Sequence, residues 1–324
     1  MSEEKNNPKT LMQAVSYFSK GDNAHNFMVN LRWPDGKVCC PRCGTDAVRA
    51  ISTRKTWECK KCTTRKQFSV KVGTIFEDSP IKLDKWLAAL WLIANAKNGI
   101  SSYEIHRSLG VTQKTGWFML HRIRLAMQTG SIVKDQMGGV VEVDESYIGG
   151  LARKMNNAQR KRTGIIGTGG ANKTAVMGLL ERGAKGTSRV HAEVIPRAKG
   201  KVLMPLVRKY VLKGSELHTD QNGAYSKARE DFNHKVVDHA QCYVKDGVHT
   251  NGLENFWSLL KRGIRGTYVS VEPFHLFRYL SEQVFRFNER KDNDQERFFK
   301  VAGSVFGKRV TYSELIGAGK RLPA

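Results

Sequence analysis

The sequence predicts a multidomain α/β protein, and three observations carry that prediction. Five of its six cysteines fall in the first fifth of the chain. Between residues 82 and 127 apolar side chains recur at helical spacing, with a glycine turn between two helices. From residue 139 onward short β-branched runs alternate with a helix and lead into a long amphipathic helix. The expected order is a metal-held module, a helical module, a mixed sheet with flanking helices, and a C-terminal helical segment.

Composition bounds the partners. The chain has 324 residues, enough for two or three domains and a sizeable core. Lys and Arg number 54 against 30 Asp and Glu, a formal charge of +24. That excess favours nucleic acid or another anionic surface. The polar start, MSEEKNNPKT, carries no signal-peptide apolar region, and the most apolar run, from Trp86 to Ala96, is too short to span a bilayer. A basic, soluble cytoplasmic protein with nucleic acid as its partner, and no membrane partner, is expected.

Residues 1–80 read as lead-in helices and a zinc module. Leu11, Ala14, Val15 and Phe18 form one helical pattern; a second ends at Leu31-Arg32-Trp33, and Pro34-Asp35-Gly36 turns the chain. Cys40-Pro41-Arg42-Cys43 and Cys59-Lys60-Lys61-Cys62 are two C-x-x-C knuckles, each able to present two thiolates from a tight turn. Thr56-Trp57-Glu58 and Lys66-Gln67-Phe68-Ser69-Val70 alternate like short strands, so the module reads as a zinc ribbon. With four thiolates the zinc is structural, because no position stays open for a substrate. Cys39 directly precedes a knuckle and is left out of the ligand set.

Residues 81–130 read as a helix-turn-helix. Leu83, Trp86, Leu87, Leu90 and Trp91 make an apolar stripe. Ser101 to Leu109 forms a short helix, Gly110-Val111-Thr112 turns, and a second helix runs from Gln113 to Met127. Gln113 and Lys114 at its start and Arg122 further along are candidate DNA contacts. The plain alternative is a helical bundle with a solvated basic face.

Gln128 to Gly139 reads as a linker, and residues 139–270 as one sheet domain. Val140 to Asp144 reads as a buried strand ending in an acid. Residues 151–173 are basic and glycine-rich, with Arg160, Lys161 and Arg162 suited to a phosphate backbone. Strands follow at Ala175 to Leu180 and Val190 to Ile195, a helix at Leu203 to Leu212, and a strand at Glu216 to Asp220. A fifth strand, Lys235 to Val237, precedes the amphipathic helix. There Leu253, Phe256, Trp257, Leu260 and Ile264 share one face, while Glu254, Ser258, Lys261 and Arg265 share another, with Arg262 beside them. One carboxylate followed by a row of cations suits a metal ion with phosphates alongside. The structural alternative is a capping box, Asn251 as N-cap and Glu254 three residues on. Residues 271–324 read as a C-terminal helical segment.

Three strands, a helix, a fourth and fifth strand and a long helix is the order of a ribonuclease-H-like sheet. It brings Asp144, Asp220 and Glu254 together. Three converging carboxylates could not all ionise without cations, and two divalent ions, magnesium or manganese, would neutralise them. Singly, Asp144 and Asp220 also read as turn-forming residues. Glu145 competes with Asp144, and Asn251 with Glu254. His218, His234, His239, Cys242 and His249 match no closed zinc site.

The chain resembles the DDE transposases of bacterial insertion sequences, in the family numbered fifteen-ninety-five. The resemblance rests on Leu31-Arg32-Trp33-Pro34-Asp35-Gly36, Phe68-Ser69-Val70 with Gly73-Thr74-Ile75-Phe76, Val143-Asp144-Glu145-Ser146-Tyr147-Ile148-Gly149-Gly150, and Thr219-Asp220. It ends in His249-Thr250-Asn251 with Glu254 and Phe256-Trp257-Ser258-Leu259-Leu260-Lys261-Arg262-Gly263. It implies cleavage of element ends and strand transfer into target DNA, with Asp144, Asp220 and Glu254 as magnesium ligands and Lys261 on the terminal DNA. Some relatives carry asparagine in the third ligand role. The resemblance also implies a prokaryotic, nucleoid-associated protein, and synapsis of two ends implies a homodimer. A DNA-binding regulator or a simple nuclease derived from a transposase are the alternative functions.

Overall fold

The computed structural model describes residues 7–130, 135–149, 158, 173–183, 187–237 and 247–317. The chain divides into two compact units, Met1–Gly130 with Asp292–Ala324, and Ser131–Lys291.

In the first unit, α1 (Leu11–Phe18) and α2 (Asn23–Arg32) bury Ala14, Phe18, Phe27 and Met28. Three short antiparallel strands follow: β1 (Val48–Ile51), β2 (Thr56–Cys59) and β3 (Gln67–Phe68). Sheets this small cannot bury enough apolar surface to stand alone. Trp57 supplies some, packing 5.9 Å from the Phe68 ring and 5.3 Å from the Trp33 ring. The rest of the stability must come from the cysteines.

Helix α3 (Leu83–Asn95) is apolar almost all round, and residues Trp86 through Trp91 are all buried. Such a helix belongs in the middle of a unit. It packs against α1, against α5 (Gln113–Gly130) and against the late helix Asp294–Gly303. Between α3 and α5, α4 (Ser102–Leu109) opens on a capping box of Ser101 and Glu104 and stops at Gly110, whose φ of +59° suits glycine. Gly116 in α5 sits where an added Cβ would lie 2.9 Å from the Ser102 carbonyl oxygen, so α4 and α5 approach to backbone contact there.

The second unit is a five-stranded mixed sheet. Its strands are β4 (Val140–Ile148), β5 (Thr174–Glu181), β6 (Arg189–Ile195), β7 (Glu216–Asp220) and β8 (Asn233–Val237), in the order β6-β5-β4-β7-β8. The first three form an antiparallel meander; β4–β7 and β7–β8 are parallel. β5 is buried along nearly its whole length because both faces are covered. On one face, Leu203, Met204 and Val207 of α6 (Gly200–Tyr210) pack on Val141, Val143, Met177 and Leu217. On the other, Leu253, Phe256, Trp257 and Leu260 of α7 (Asn251–Gly263) pack on Val176 and Leu180, with α8 (Leu276–Asn288) beside them. Side chains alternate across a strand, so Val141 and Val143 meet α6 while Glu142 and Asp144 meet α7.

Two expectations need revising. The first strand does not end at the acid: β4 runs on to Ile148, because β5 pairs with it as far as Thr174. The expected segment 271–324 is divided, with α8 in the second unit and Asp292 onward in the first. Among the described residues no helix is long and apolar enough to cross a membrane.

Candidate active site

The register of two parallel strands assembles the site. Val140, Val141 and Glu142 lie opposite Glu216, Leu217 and His218. Continuing that register by two residues brings Asp144 level with Asp220, on neighbouring strands and the same face. The hydrogen-bonded ladder between the two strands stops before them, at Glu142 and His218.

Asp144 is held from α7. The Trp257 indole Nε1–H donates to its Oδ2 at 2.9 Å. The ring can come this close because Gly178 lies opposite Asp144 on β5; an added Cβ there would sit 2.7 Å from a Trp257 ring carbon. Burial pushes the Asp144 carboxyl up to about 6; the charges of Asp220 and Glu254 push the same way, and the indole pulls against them. Asp144 therefore feels both other acids.

Asp220 ends β7, and its Oδ1 accepts the Asn222 backbone N–H at 3.1 Å. The Asn222 side chain donates to Glu145 Oε2 at 3.2 Å, and Tyr225 Oη donates to Glu145 Oε1. Glu145 thus ties the middle of β4 to the turn after β7 with both oxygens engaged. Burial pushes its carboxyl up to about 7, opposed by the Tyr225 hydrogen bond. This leaves Asp144, not Glu145, facing α7.

Glu254 stands exposed in the first turn of α7. The capping-box alternative is overturned: Thr250 is the N-cap, it makes no side-chain capping bond, and Asn251 is the exposed first residue of the helix. The reason is steric and electrostatic. The Glu142 carboxylate reaches in from β4 and accepts the Leu253 N–H at 3.0 Å, which serves the helix end instead.

A cleft of about 520 Å³ is lined by Asp144, Glu145, Glu254, Lys261, Arg262 and Arg265, together with Ser146, Trp257 and Ser258. The lining combines three acids with three cations, and Asp220 is not part of it. Among the described residues the four cysteines are the group of such side chains whose ligand atoms all lie within 4.8 Å of one another. Asp144, Asp220 and Glu254 do not form such a group; what links them is that the charges of Asp220 and Glu254 act on Asp144.

The cysteine cluster is Cys40, Cys43, Cys59 and Cys62, with sulfur separations of 3.8 Å (Cys40–Cys62) and 3.6 Å (Cys43–Cys59). Four sulfurs about 2.3 Å from a tetrahedral zinc stand about 3.8 Å apart, so the site fits the ion. Cys39 is outside the cluster, its Sγ 3.7 Å from the Lys37 carbonyl oxygen.

The helical module returns a mixed result. Lys114 is exposed, its ammonium 4.8 Å from the Tyr312 ring centroid. Gln113 is half-buried and donates to Ser102 Oγ at 2.8 Å. Arg122 is a correction: it is 3 % exposed, and its guanidinium donates to the Ile75 and Glu77 carbonyls at 2.8 and 2.7 Å. Its cation closes off the chain after the ribbon and does not face a ligand. Arg160, Lys161 and Arg162 lie outside the described residues, as do His239 and Cys242.

Sequence reasoning missed Glu142, Trp257, Asn222 and Tyr225 as site-building residues. An acid two residues before Asp144 shares its face, and that was the available signal for Glu142. Trp257 reads as core from its helical spacing, and nothing local marks it, Asn222 or Tyr225 as partners of the acids.

Fold and site together define a protein with a zinc-ribbon module and an acid-and-cation cleft on a mixed sheet. Residues 136–288 match the family described as ISXO2-like transposase domain, and residues 20–65 match the transposase zinc-ribbon domain. The class is that of the transposases. The chain belongs to the insertion-sequence family numbered fifteen-ninety-five. It is similar to an uncharacterized protein in transposable element ISH50 of Halobacterium salinarum, at 26 % identity over 85 % of this chain and 95 % of that one. It is also similar to an uncharacterized transposase-like protein of Haemophilus influenzae, 28 % identical over 36 % of this chain and 97 % of that one.

Proposed function

We propose that the chain is a DDE transposase that cuts double-stranded DNA at the ends of its element and joins those ends to target DNA. What supports this reading is the parallel register of β4 against β7, which continued by two residues brings Asp144 level with Asp220, together with the charges of Asp220 and Glu254 acting on Asp144. The donor set is all oxygen, which suits magnesium or manganese. Two such ions would activate the attacking water or 3′-hydroxyl and stabilise the leaving oxygen.

The chain's own residues do the rest. Trp257 orients Asp144, and Asn222 anchors the turn that carries Asp220. Lys261 lies seven residues beyond Glu254, about 10 Å along the helix, and grips phosphates flanking the reacting one together with Arg262 and Arg265. The five-stranded order, with an antiparallel meander and two parallel strands, supports a ribonuclease-H-like classification. The helix–turn–helix run of α4 and α5, the zinc ribbon, Gln113 and Lys114 would recognise element ends, and Arg160, Lys161 and Arg162 would follow the backbone. Synapsis of two ends calls for a homodimer, and the mass of the complex on paired-end DNA measures it.

The deciding experiment is Asp220→Asn beside the wild type, assayed for magnesium-dependent cleavage and joining of DNA bearing the element's ends. Loss of several kcal/mol of charge stabilisation corresponds to a fall of roughly 1000-fold in both steps, with DNA binding retained. Normal cutting by the variant overturns the three-carboxylate site. Cutting without joining in the wild type favours a simple nuclease, and binding without either favours a regulator.

A further inference from the structure

The chain entering α7 is clasped from three adjacent strands at once. Arg182, the residue after β5, donates from Nε to Glu142 Oε1 at 2.8 Å, from Nη1 to the Gly247 carbonyl at 3.0 Å and from Nη2 to the His249 carbonyl at 2.6 Å. Its Nη2 also meets His249 Nδ1 at 2.7 Å. From β4, Glu142 is 1 % exposed and caps the Leu253 N–H. From β7, His218 is also 1 % exposed; its Nδ1 accepts the His249 N–H at 3.4 Å, and its Nε2 meets Glu216 Oε1 at 2.6 Å. Gly252 completes the clasp, because an added Cβ would lie 2.9 Å from Glu142 Oε2.

Burying a carboxylate against a half-buried guanidinium is a poor way to add stability, since desolvation cancels much of their attraction. What such a hydrogen-bonded pair provides is one arrangement in preference to its neighbours. That matters here because a slip of one residue turns an α-helix by about 100° and shifts it by about 1.5 Å. Such a slip carries Glu254 out of the cleft and Trp257 away from Asp144.

We infer that Glu142 and Arg182 are positioning residues whose clasp sets the register of α7, and with it the place of Glu254 opposite Asp144 and Asp220. The inference rests on the reading of those three acids as metal-holding groups. Neither clasp residue lines the cleft.

The test compares Glu142→Gln, Arg182→Lys and Asp220→Asn in the full chain. Glu142→Gln keeps the shape and removes the charge; Arg182→Lys keeps the charge and removes the fork. Three quantities are read: hydrogen exchange at the Leu253 amide, manganese binding followed by electron paramagnetic resonance, and kcat against KM for end DNA. Both clasp variants are expected to lose about 10-fold in Leu253 protection and about 10-fold in manganese affinity. Their kcat should fall about 10- to 100-fold with KM unchanged, as for a reacting group held out of place. Lost amide protection with wild-type manganese binding and kcat makes the clasp purely structural and overturns the inference. If Asp220→Asn itself binds manganese and cuts normally, the carboxylate reading fails, a result distinct from failure of the clasp.

Discussion

Trp257 shows how one side chain joins packing to chemistry. Its ring belongs to the apolar face of α7, while its Nε1–H orients an acid 113 residues earlier in the chain. Trp257→Phe removes the donor together with the outer indole carbons that fill the space left by Gly178. The expected cost is about 1–3 kcal/mol in urea denaturation, from the lost bond to an ionisable group and from the buried ring atoms removed with it. Cleavage should fall by about 10-fold as Asp144 loses its fixed rotamer. Arg122 is the opposite case, a cation that reads as a DNA contact and is spent on two backbone carbonyls. Arg122→Ala should destabilise the chain by about 1–3 kcal/mol and leave the salt dependence of DNA binding unchanged. A slope lower by about one would return Arg122 to the interface.

At the scale of elements, the ribbon and α7 stand on different supports. The three ribbon strands are two to four residues long and pack on little beyond Trp57 and its neighbours. Their folding free energy is mostly that of metal binding. A strong chelator should therefore release one zinc per chain, read by a colorimetric indicator. Exchange protection in residues 48–68 should be lost while the α3 amides keep theirs. Retained ribbon protection without zinc would show that its aromatic packing suffices. α7 needs no ion to fold, since five of its residues are buried against the sheet and its first turn is capped from β4.

At the scale of the whole molecule, the charge of +24 is distributed unevenly in its consequences. Some cations are engaged within the fold, as Arg122 and Arg182 are, and others line the cleft, as Lys261, Arg262 and Arg265 do. Lys261→Ala should weaken binding to all DNA sequences alike and lower the salt slope by about one, with manganese affinity unchanged. An unchanged slope would remove Lys261 from the phosphate path. Net charge announces the partner; which cations meet it depends on the fold.

Much of this protein is legible in its sequence because the information is local. Cys40, Cys43, Cys59 and Cys62 declare a zinc ribbon through spacing alone, since a tight turn presents two thiolates whatever surrounds it. The 3.6-residue period sorts Leu253, Phe256, Trp257 and Leu260 from Glu254 and Lys261 before any neighbour is known. Other features arise only when distant segments meet. That Asp144 stands level with Asp220 depends on the register of β4 against β7, 76 residues on by Val140 and Glu216. That Glu145 turns away to Tyr225 depends on which face of β4 the core claims, and that Glu142 caps α7 depends on Gly252 leaving room. Periodicity within a segment is a property of its own backbone geometry, while register and rotamer are set by packing across the sheet.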